Sequence, residues 1–226
     1  MSSARAVVLL SGGLDSATTL ALAVREGFEV HALTIDYGQR HRMEVDRARA
    51  LAPSLGARSH RVLHLDMTYP GSSALTDPGI PVPRSRTEAE MGSGIPPTYV
   101  PARNTVLLAL ALSWAETLEA RDLFIGVNAV DYSGYPDCRP AFLRAFETLA
   151  RVSTRAGIEG TAFRIRAPLM DLSKGEIVRK AVELGVDLSV TFSCYDPAPG
   201  GTPCGECDAC LLRARGFAEA GLEDPG

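Results

Sequence analysis

The sequence lacks the features of a membrane or exported protein. Its 226 residues contain no uncharged apolar run that reaches the roughly 20 residues a transmembrane helix needs. Residues 1–8 lack the basic and apolar segments of a signal peptide. The five cysteines, an odd number with three close together, are typical of metal ligands in a reducing compartment rather than of disulfides. We therefore expect a cytoplasmic protein with no membrane partner.

The chain also has no excess of positive charge, and lysine is almost absent. The formal net charge is −4, and Lys174 and Lys180 are the only lysines among 23 basic residues. A protein that coats nucleic acid usually carries a basic stripe, so we expect no nucleic-acid partner. Small anionic ligands remain compatible with this charge.

Internal repeats and low-complexity tracts are absent, and strand and helix patterns alternate instead. Apolar runs at 6–10, 28–35 and 59–65 are separated by helical periodicity at 14–26 and 41–51, with Pro53 closing the second helix. This order predicts an α/β fold, a mainly parallel sheet of Rossmann-like type with helices on both faces. Further helices are predicted at 104–119, 141–151, 173–184 and 208–220 and further strands at 122–127 and 163–167, with Ser173 as an N-cap and Glu176 in a capping box.

Two segments interrupt this alternation. Residues 68–98, the insertion, are rich in proline and glycine, which favours a lid or binding loop, with plain disorder as the alternative. From residue 191 the chain becomes rich in proline, glycine and cysteine. We therefore expect an α/β domain at 1–190 and a small C-terminal element at 191–226.

The first predicted strand is followed by the SGGLDS loop, residues 11–16. Glycines let a backbone approach a phosphate closely, and the N–H groups at a helix start attract its charge. The loop is not a Walker A loop, since no Lys-Ser or Lys-Thr closes it, and its adjacent glycines are not GxGxxG. The alternative is a glycine-rich turn in which Asp15 and Ser16 cap the helix. The predicted nucleotide-binding residues are Leu10, Ser11, Gly12, Gly13, Leu14, Asp15 and Ser16.

Four cysteines, Cys194, Cys204, Cys207 and Cys210, form a second motif, the cysteine cluster. Two-residue gaps let successive thiolates turn toward one point, and four thiolates without histidine suit a closed structural Zn²⁺ site. An iron–sulfur cluster is the alternative, because four thiolates also hold those. Cys138 lies outside the cluster. Two interpretations of it are open: a small residue near the end of a loop, or a residue with a role in the binding site.

Three polar segments are expected at the same edge of the sheet. They are DYGQRH (36–41), YVPARN (99–104) and NAVDYSGY (128–135), which offer aromatic faces, amides and arginines for a flat heterocycle and a carboxylate. SGGLDS alone resembles the ATP pyrophosphatase superfamily. Together with GYPDCR (134–139) and the cysteine cluster, these motifs make residues 8 to about 212 similar to the 7-cyano-7-deazaguanine synthase family of that superfamily.

The resemblance implies the adenine nucleotide α-hydrolase type of fold and an ATP-binding role for the α/β domain. It implies that a nitrile is made from 7-carboxy-7-deazaguanine, ammonia and ATP, with one structural Zn²⁺ per chain in the cysteine cluster. Asp15 would bind the Mg²⁺ that accompanies ATP, and Arg103 and Lys174 would join it as catalytic residues that stabilise charge at the reacting phosphate. Attack on the α-phosphate, with AMP as product, is favoured over a kinase-like route to ADP.

Alternative functions remain. The chain could be another ATP pyrophosphatase, either a tRNA thiolation enzyme or an ammonia-dependent synthetase. A thiolation enzyme would need a reactive cysteine near the nucleotide and usually a basic surface, and the net charge of −4 argues against it. A non-enzymatic zinc-binding module would leave the SGGLDS loop without a purpose. No glutaminase Cys/His pair is evident, which fits free ammonia as the nitrogen donor, and a homodimer is left open.

Overall fold

A five-stranded parallel sheet forms the centre of the computed structural model, which describes residues 3–40, 43–128 and 134–226. The strand order is β3-β2-β1-β4-β5, and every neighbouring pair is parallel. The predicted α/β fold is therefore confirmed. The strands are β1 (Arg5–Leu9), β2 (Glu29–Asp36), β3 (Ser59–His64), β4 (Asp122–Phe124) and β5 (Arg164–Arg166), and the helices are α1 (Leu14–Arg25), α2 (Met43–Ser54), α3 (Glu88–Met91), α4 (Arg103–Thr117), α5 (Pro140–Ser153), α6 (Arg155–Ile158), α7 (Lys174–Glu183) and α8 (Asp208–Ala220), with a 3₁₀ turn at Pro136–Cys138.

Helices cover both faces of the sheet, as the buried β1 strand requires. Val7 belongs to a core cluster that contains residues of α4 and α5, whereas Val8 belongs to one that contains residues of α1 and α2. Because successive side chains of a strand point to opposite faces, one strand supplies both layers of the core. Among the described residues, no helix combines the length and the apolar character needed to cross a bilayer.

Local sequence signals account for most element boundaries. Ser173 and Glu176 form the predicted capping box at the start of α7, and α8 spans the predicted residues. The prediction that Pro53 closes α2 is wrong, because α2 continues to Ser54 with the proline inside it. Proline has a helical φ, so it is accommodated in a last turn at the cost of one missing N–H donor. β4 is also shorter than predicted, since the chain leaves the ladder after Phe124.

The insertion has α3 as its only regular element among the described residues, and it packs against the C-terminal element. Ala74 and Val82 are buried in the same apolar cluster as the cysteines. Arg84 forms an isolated antiparallel bridge with Cys207, and Arg86 forms an ion pair with Asp208. These contacts anchor the insertion beside the cysteine cluster. Its role as a lid, and the division of the chain at residue 190, stay predictions.

Candidate active site

A cavity of about 220 Å³ lies at the carboxyl end of the sheet, between the segments that follow β1 and β4. Ser11 and Asp15 line it after β1, and Gly126 and Asn128 line it after β4. From β1 the chain continues to β2 on one side of the sheet, whereas from β4 it continues to β5 on the other. Ligands of parallel α/β sheets bind at such a switch point. The SGGLDS loop is therefore placed where the sequence predicts it.

The SGGLDS loop is held in shape by its two serines. Ser16 Oγ donates to the Gly13 carbonyl at 3.0 Å and accepts from the Ser11 N–H at 3.1 Å. Gly13 is the N-cap of α1 and makes no side-chain cap hydrogen bond, and Asp15 and Ser16 lie inside the helix rather than at its cap. The alternative in which Asp15 and Ser16 cap the helix is therefore wrong. Of the seven predicted nucleotide-binding residues, all except Gly12 line the cavity.

Gly12 is needed for packing rather than for the cavity wall. Its φ is +92°, and a Cβ there would lie 2.2 Å from the Glu44 carbonyl oxygen and 2.9 Å from the Ala48 nitrogen. No side chain fits that gap, so the glycine lets the loop lie directly on α2. Gly126 has a similar effect on the other side, where a Cβ would lie 3.0 Å from the Asp15 backbone.

Lys174 forms the closest charged contact of the SGGLDS loop. Its Nζ donates to Asp15 Oδ1 at 3.0 Å and to Asp15 Oδ2 at 2.9 Å, and its side chain is only 6% exposed. Gly216 of α8 makes room for the lysine stem, because a Cβ at that position would lie 2.3 Å from Lys174 Cγ. The packing of α8 on α7 thus fixes a buried cation beside the predicted phosphate site.

Arg103 opens α4 and lies on another wall of the cavity. Its guanidinium carbon is 5.9 Å from the centre of the Tyr37 ring, an arrangement in which the cation is attracted to the ring face. The preceding Ala102 has the left-handed conformation, with φ 54° and ψ 23°. A non-glycine residue in this conformation is strained, and such strain is often retained where a site needs a particular chain direction.

The 3₁₀ turn at Pro136–Cys138 holds the start of α4. The backbone N–H of Asn104 donates to Asp137 Oδ2 at 2.9 Å, and the Asn104 amide donates to the Asp137 carbonyl at 3.0 Å and to Cys138 Sγ at 3.3 Å. Cys138 is buried at the cavity, and burial raises the pKa of its thiol to about 11. Cys138 is therefore a neutral thiol at physiological pH and a poor nucleophile.

The three polar segments meet at the cavity, as their places at strand ends and helix starts predict. Tyr37, Arg103 and Tyr135, one from each segment, all line it. His41 and residues 129–133, which belong to two of these segments, lie outside the described residues.

The cysteine cluster has the donor set of a metal site. Its four sulfur atoms lie within 4.8 Å of one another, and ligands about 2.3 Å from a tetrahedral Zn²⁺ would be about 3.8 Å apart. Backbone N–H groups of Cys204 and Asp196 donate to Cys194 Sγ at 3.2 and 3.4 Å. Hydrogen bonds from the Cys194 and Cys210 thiols lower the pKa of Cys207. The same interactions raise the pKa values of the Cys194 and Cys210 thiols, so within this group they favour a thiolate at Cys207. The donor set of four neighbouring sulfur atoms fits a soft or borderline cation.

Several cavity residues could not be found from the sequence. Glu44 lies in the first turn of α2, where an acidic residue is ordinary, yet burial raises its pKa to about 7 while Arg103 lowers it. Leu75 comes from the irregular insertion, where no periodicity marks a lining residue. Tyr195 also lines the cavity. Its place directly after the first cysteine of the cluster is the one feature of the sequence that could have pointed to it.

Comparisons with known proteins identify the family of this chain. A family model described as "Queuosine biosynthesis protein QueC" matches residues 5–221. The chain is 62% identical over 221 residues to a 7-cyano-7-deazaguanine synthase of Anaeromyxobacter dehalogenans, which covers 98% of this chain and 94% of that protein. It is 59% identical over 225 residues to one of Azotobacter vinelandii, covering 100% and 98%.

Among solved structures, a 4-thiouridine synthetase in complex with RNA and bound ATP superposes with a TM-score of 0.50. The match has 19% identity and covers 96% of this chain and 50% of the other. This likeness concerns the fold alone. The family match spans nearly the whole chain and agrees with the resemblance carried by the motifs, so the chain belongs to the QueC family of queuosine biosynthesis proteins.

Proposed function

We propose that this chain is an ATP-dependent carbon–nitrogen ligase that converts 7-carboxy-7-deazaguanine and ammonia to 7-cyano-7-deazaguanine. The observation that carries the proposal is the 62% identity, over 98% of the chain, to a protein named 7-cyano-7-deazaguanine synthase. The position of Lys174 and Asp15 in the cavity at the SGGLDS loop supports phosphate chemistry there. The proposed partners are therefore small molecules.

The first half of the reaction makes an amide. A carboxylate is a poor electrophile, so one of its oxygens first attacks the α-phosphorus of ATP, the bond to the β-phosphate oxygen breaks, and pyrophosphate leaves. Ammonia then attacks the acyl-adenylate carbon and loses a proton, and AMP leaves with the former carboxylate oxygen. Holding oxygen and phosphorus in line is chiefly a matter of positioning and charge stabilisation.

The second half makes the nitrile. The amide oxygen attacks the α-phosphorus of a second ATP, and pyrophosphate leaves again. Loss of the remaining nitrogen-bound protons and departure of AMP then leave a carbon–nitrogen triple bond. The proposal therefore requires two ATP molecules for each nitrile.

Lys174 and Asp15 are proposed to act on the phosphates. The buried Lys174 cation would offset negative charge that develops as pyrophosphate leaves. Each Asp15 oxygen accepts from Lys174 and retains lone pairs, so Asp15 is also suited to hold Mg²⁺, which prefers carboxylate and phosphate oxygens. When bound, Mg²⁺ would supply further charge neutralisation at the phosphates.

Arg103 is proposed to orient the carboxylate of the second substrate. It carries a permanent positive charge, and its planar fork matches a carboxylate. Tyr37 and Tyr135, which line the same cavity, offer aromatic faces to the flat ring system.

The cysteine cluster is proposed to hold one structural Zn²⁺. Its sulfur atoms do not line the cavity, whereas Ser193, Tyr195 and Ala209 beside them do. The metal would thus fix chain segments that form the cavity wall. Thiolate ligands need a reducing compartment, which supports a place in the cytoplasm.

A tRNA thiolation activity is less well supported by the site. Such an enzyme needs a reactive thiol beside the nucleotide, and Cys138 is the cysteine of the described chain that lines the cavity. The raised pKa of its thiol, about 11, opposes that use.

The proposal is tested by incubating the protein with ATP, Mg²⁺, ammonia and 7-carboxy-7-deazaguanine and following product mass. We expect the mass of the nitrile, formed only when ATP and ammonia are both present. If 7-carboxy-7-deazaguanine stays unchanged after prolonged incubation with folded, metal-loaded protein, the proposal is contradicted.

A further inference from the structure

Glu44, in the first turn of α2, lines the cavity with a carboxylate that has no partner in the described part of the chain. Asp15 and Glu44 are the two acidic residues among the described residues of the cavity wall, and Lys174 already donates to Asp15. No hydrogen bond or ion pair among the described residues involves the Glu44 carboxylate. An unpaired polar group in a cavity wall points to a ligand that pairs with it.

The Glu44 carboxylate is accessible from the cavity. The residue lies deep in the protein, where burial raises its pKa to about 7, yet it keeps part of its surface accessible, as a group that faces an internal cavity does. In the described chain, the side-chain atoms that are both fully enclosed and unpaired are His31 Nε2 and Arg40 Nε, so neither oxygen of Glu44 is sealed off. A ligand in the cavity can therefore reach both oxygens.

Arg103 places the opposite charge on the same cavity. Its side chain interacts with Tyr37 and forms no ion pair with any described residue. Arg103 also lowers the pKa of Glu44, so the two charges are near enough to act on each other although they do not pair. Two opposite charges that stay apart in one cavity suit a ligand that carries an anionic group for the arginine and hydrogen-bond donors for the carboxylate.

The acid substrate of the proposed function, 7-carboxy-7-deazaguanine, has both features. Its carboxylate is the group proposed to lie at Arg103. The pyrimidine side of its ring system carries two neighbouring donors, a ring N–H and the 2-amino group, and these match the two oxygens of one carboxylate. Adenine instead has one amino donor beside a ring nitrogen that accepts, so the base of ATP pairs less well with Glu44.

We propose that Glu44 is the substrate-binding residue that recognises the aminopyrimidine edge of 7-carboxy-7-deazaguanine, one oxygen accepting from the ring N–H and the other from the 2-amino group. This inference rests on the proposed function. It makes Glu44 a specificity-determining residue, because a ring without the 2-amino group leaves one oxygen of the carboxylate unpaired.

The test is isothermal titration of wild type and Glu44→Gln at about pH 8, where the carboxylate is mostly ionised. The probes are 7-carboxy-7-deazaguanine and 7-carboxy-7-deazahypoxanthine, which lacks the 2-amino group. Both are titrated in the presence of a nucleotide analogue that cannot be cleaved between its α and β phosphates, and this analogue is also titrated alone.

Wild type should bind 7-carboxy-7-deazaguanine at least about tenfold more tightly than the probe without the amino group. Glutamine keeps one acceptor but turns an N–H₂ group toward a donor, so Glu44→Gln should bind 7-carboxy-7-deazaguanine at least about tenfold more weakly than wild type. Its preference between the two probes should fall to about threefold or less. Binding of the nucleotide analogue alone should stay within about twofold of the wild type.

Asp46→Asn is the matched control. Asp46 is an exposed acidic residue of the same helix that does not line the cavity, so its replacement should leave all three affinities unchanged. If Glu44→Gln does not fold, Glu44→Ala replaces it with the same expectations, because alanine has no acceptor.

Three results would overturn the inference. The first is unchanged affinity for 7-carboxy-7-deazaguanine in the folded variant, even if turnover is lost, since Glu44 would then act on the ammonia or on proton transfer. The second is a preference between the two probes as large as in wild type, which would place the contact to the amino group elsewhere. The third is an equal loss of affinity for the nucleotide analogue, which would assign Glu44 to ATP.

The proposed function fails in a different way. A wild type that makes no nitrile contradicts that function, whereas an active wild type with any of these three results contradicts the role of Glu44 alone.

Discussion

Lys174 and Asp15 are 159 residues apart in the chain and form a double hydrogen bond, 2.9 and 3.0 Å long, at the edge of the cavity. The lysine is the first residue of α7, and the aspartate lies in the first turn of α1. The contact therefore joins the SGGLDS loop to a helix from the far end of the α/β domain. It places both an anion and a cation where the phosphates of ATP are proposed to bind.

Replacing Asp15 should stop turnover while the fold persists. Asp15→Asn removes the carboxylate proposed to hold Mg²⁺, and we expect kcat at saturating ATP to fall by roughly 10²-fold or more. Steady-state kinetics with circular dichroism checks both points. Asp46→Asn, an exposed aspartate of α2 outside the cavity, is the control and should be fully active. Wild-type turnover by Asp15→Asn would refute the role of Asp15.

Replacing Lys174 should slow turnover, whereas replacing Lys180 should not. Lys174→Met keeps the length of the stem but removes the charge at the phosphates, so we expect a fall in kcat of about 10²-fold. Lys180→Met is a matched control on the same helix, because Lys180 pairs with Glu183 at the surface at 2.7 Å. Equal activity losses in the two variants would show that the effect comes from α7 as a whole.

The cysteine cluster should hold zinc that Cys138 does not influence. Cys204→Ser removes one of four thiolates, so elemental analysis should show loss of bound Zn²⁺ together with a lower midpoint of thermal unfolding. Cys138→Ser should keep one zinc per chain. Iron with inorganic sulfide in place of zinc would favour the iron–sulfur alternative, and equal zinc loss in Cys138→Ser would rule out the assignment of these four ligands.

Glu44 should make stability depend on pH. Burial raises the pKa of Glu44 from 4.5 to about 7, so between these values the folded protein binds a proton that the unfolded chain does not. The resulting stabilisation is complete below pH 4.5 and is lost as pH rises through 7. Compared with the wild type, Glu44→Gln should therefore gain stability between pH 5 and pH 8.

Chemical denaturation at several pH values measures this difference. Glu223→Gln, at the exposed C-terminus, should follow the wild type throughout. A constant difference between Glu44→Gln and the wild type from pH 5 to pH 8 would argue against a raised pKa.

The sequence predicts what local patterns determine. The order of strands and helices follows from hydrophobic periodicity, and the capping box of Ser173 and Glu176 follows from spacing. The SGGLDS loop can be recognised because its six residues directly follow the apolar run of β1, so the motif and its position are both visible in a short stretch of sequence.

Contacts between distant segments could not be predicted in this way. The pairing of Lys174 with Asp15 depends on α8 packing on α7, where Gly216 makes room for the lysine stem. The burial of Val82 depends on the cysteine cluster, and the need for glycine at Gly12 depends on the approach of α2. None of these contacts leaves a periodic signal in the sequence.

The decisive measurement is a reaction with α-labelled ATP and ¹⁵N-ammonia in which nucleotides and the nitrile are quantified together. A loop that directs attack onto the α-phosphorus for both activations predicts two labelled AMP molecules for each nitrile, and each nitrile carries one ¹⁵N. Label in ADP with none in AMP would overturn the adenylation mechanism, and labelled AMP without any nitrile would contradict the proposed activity.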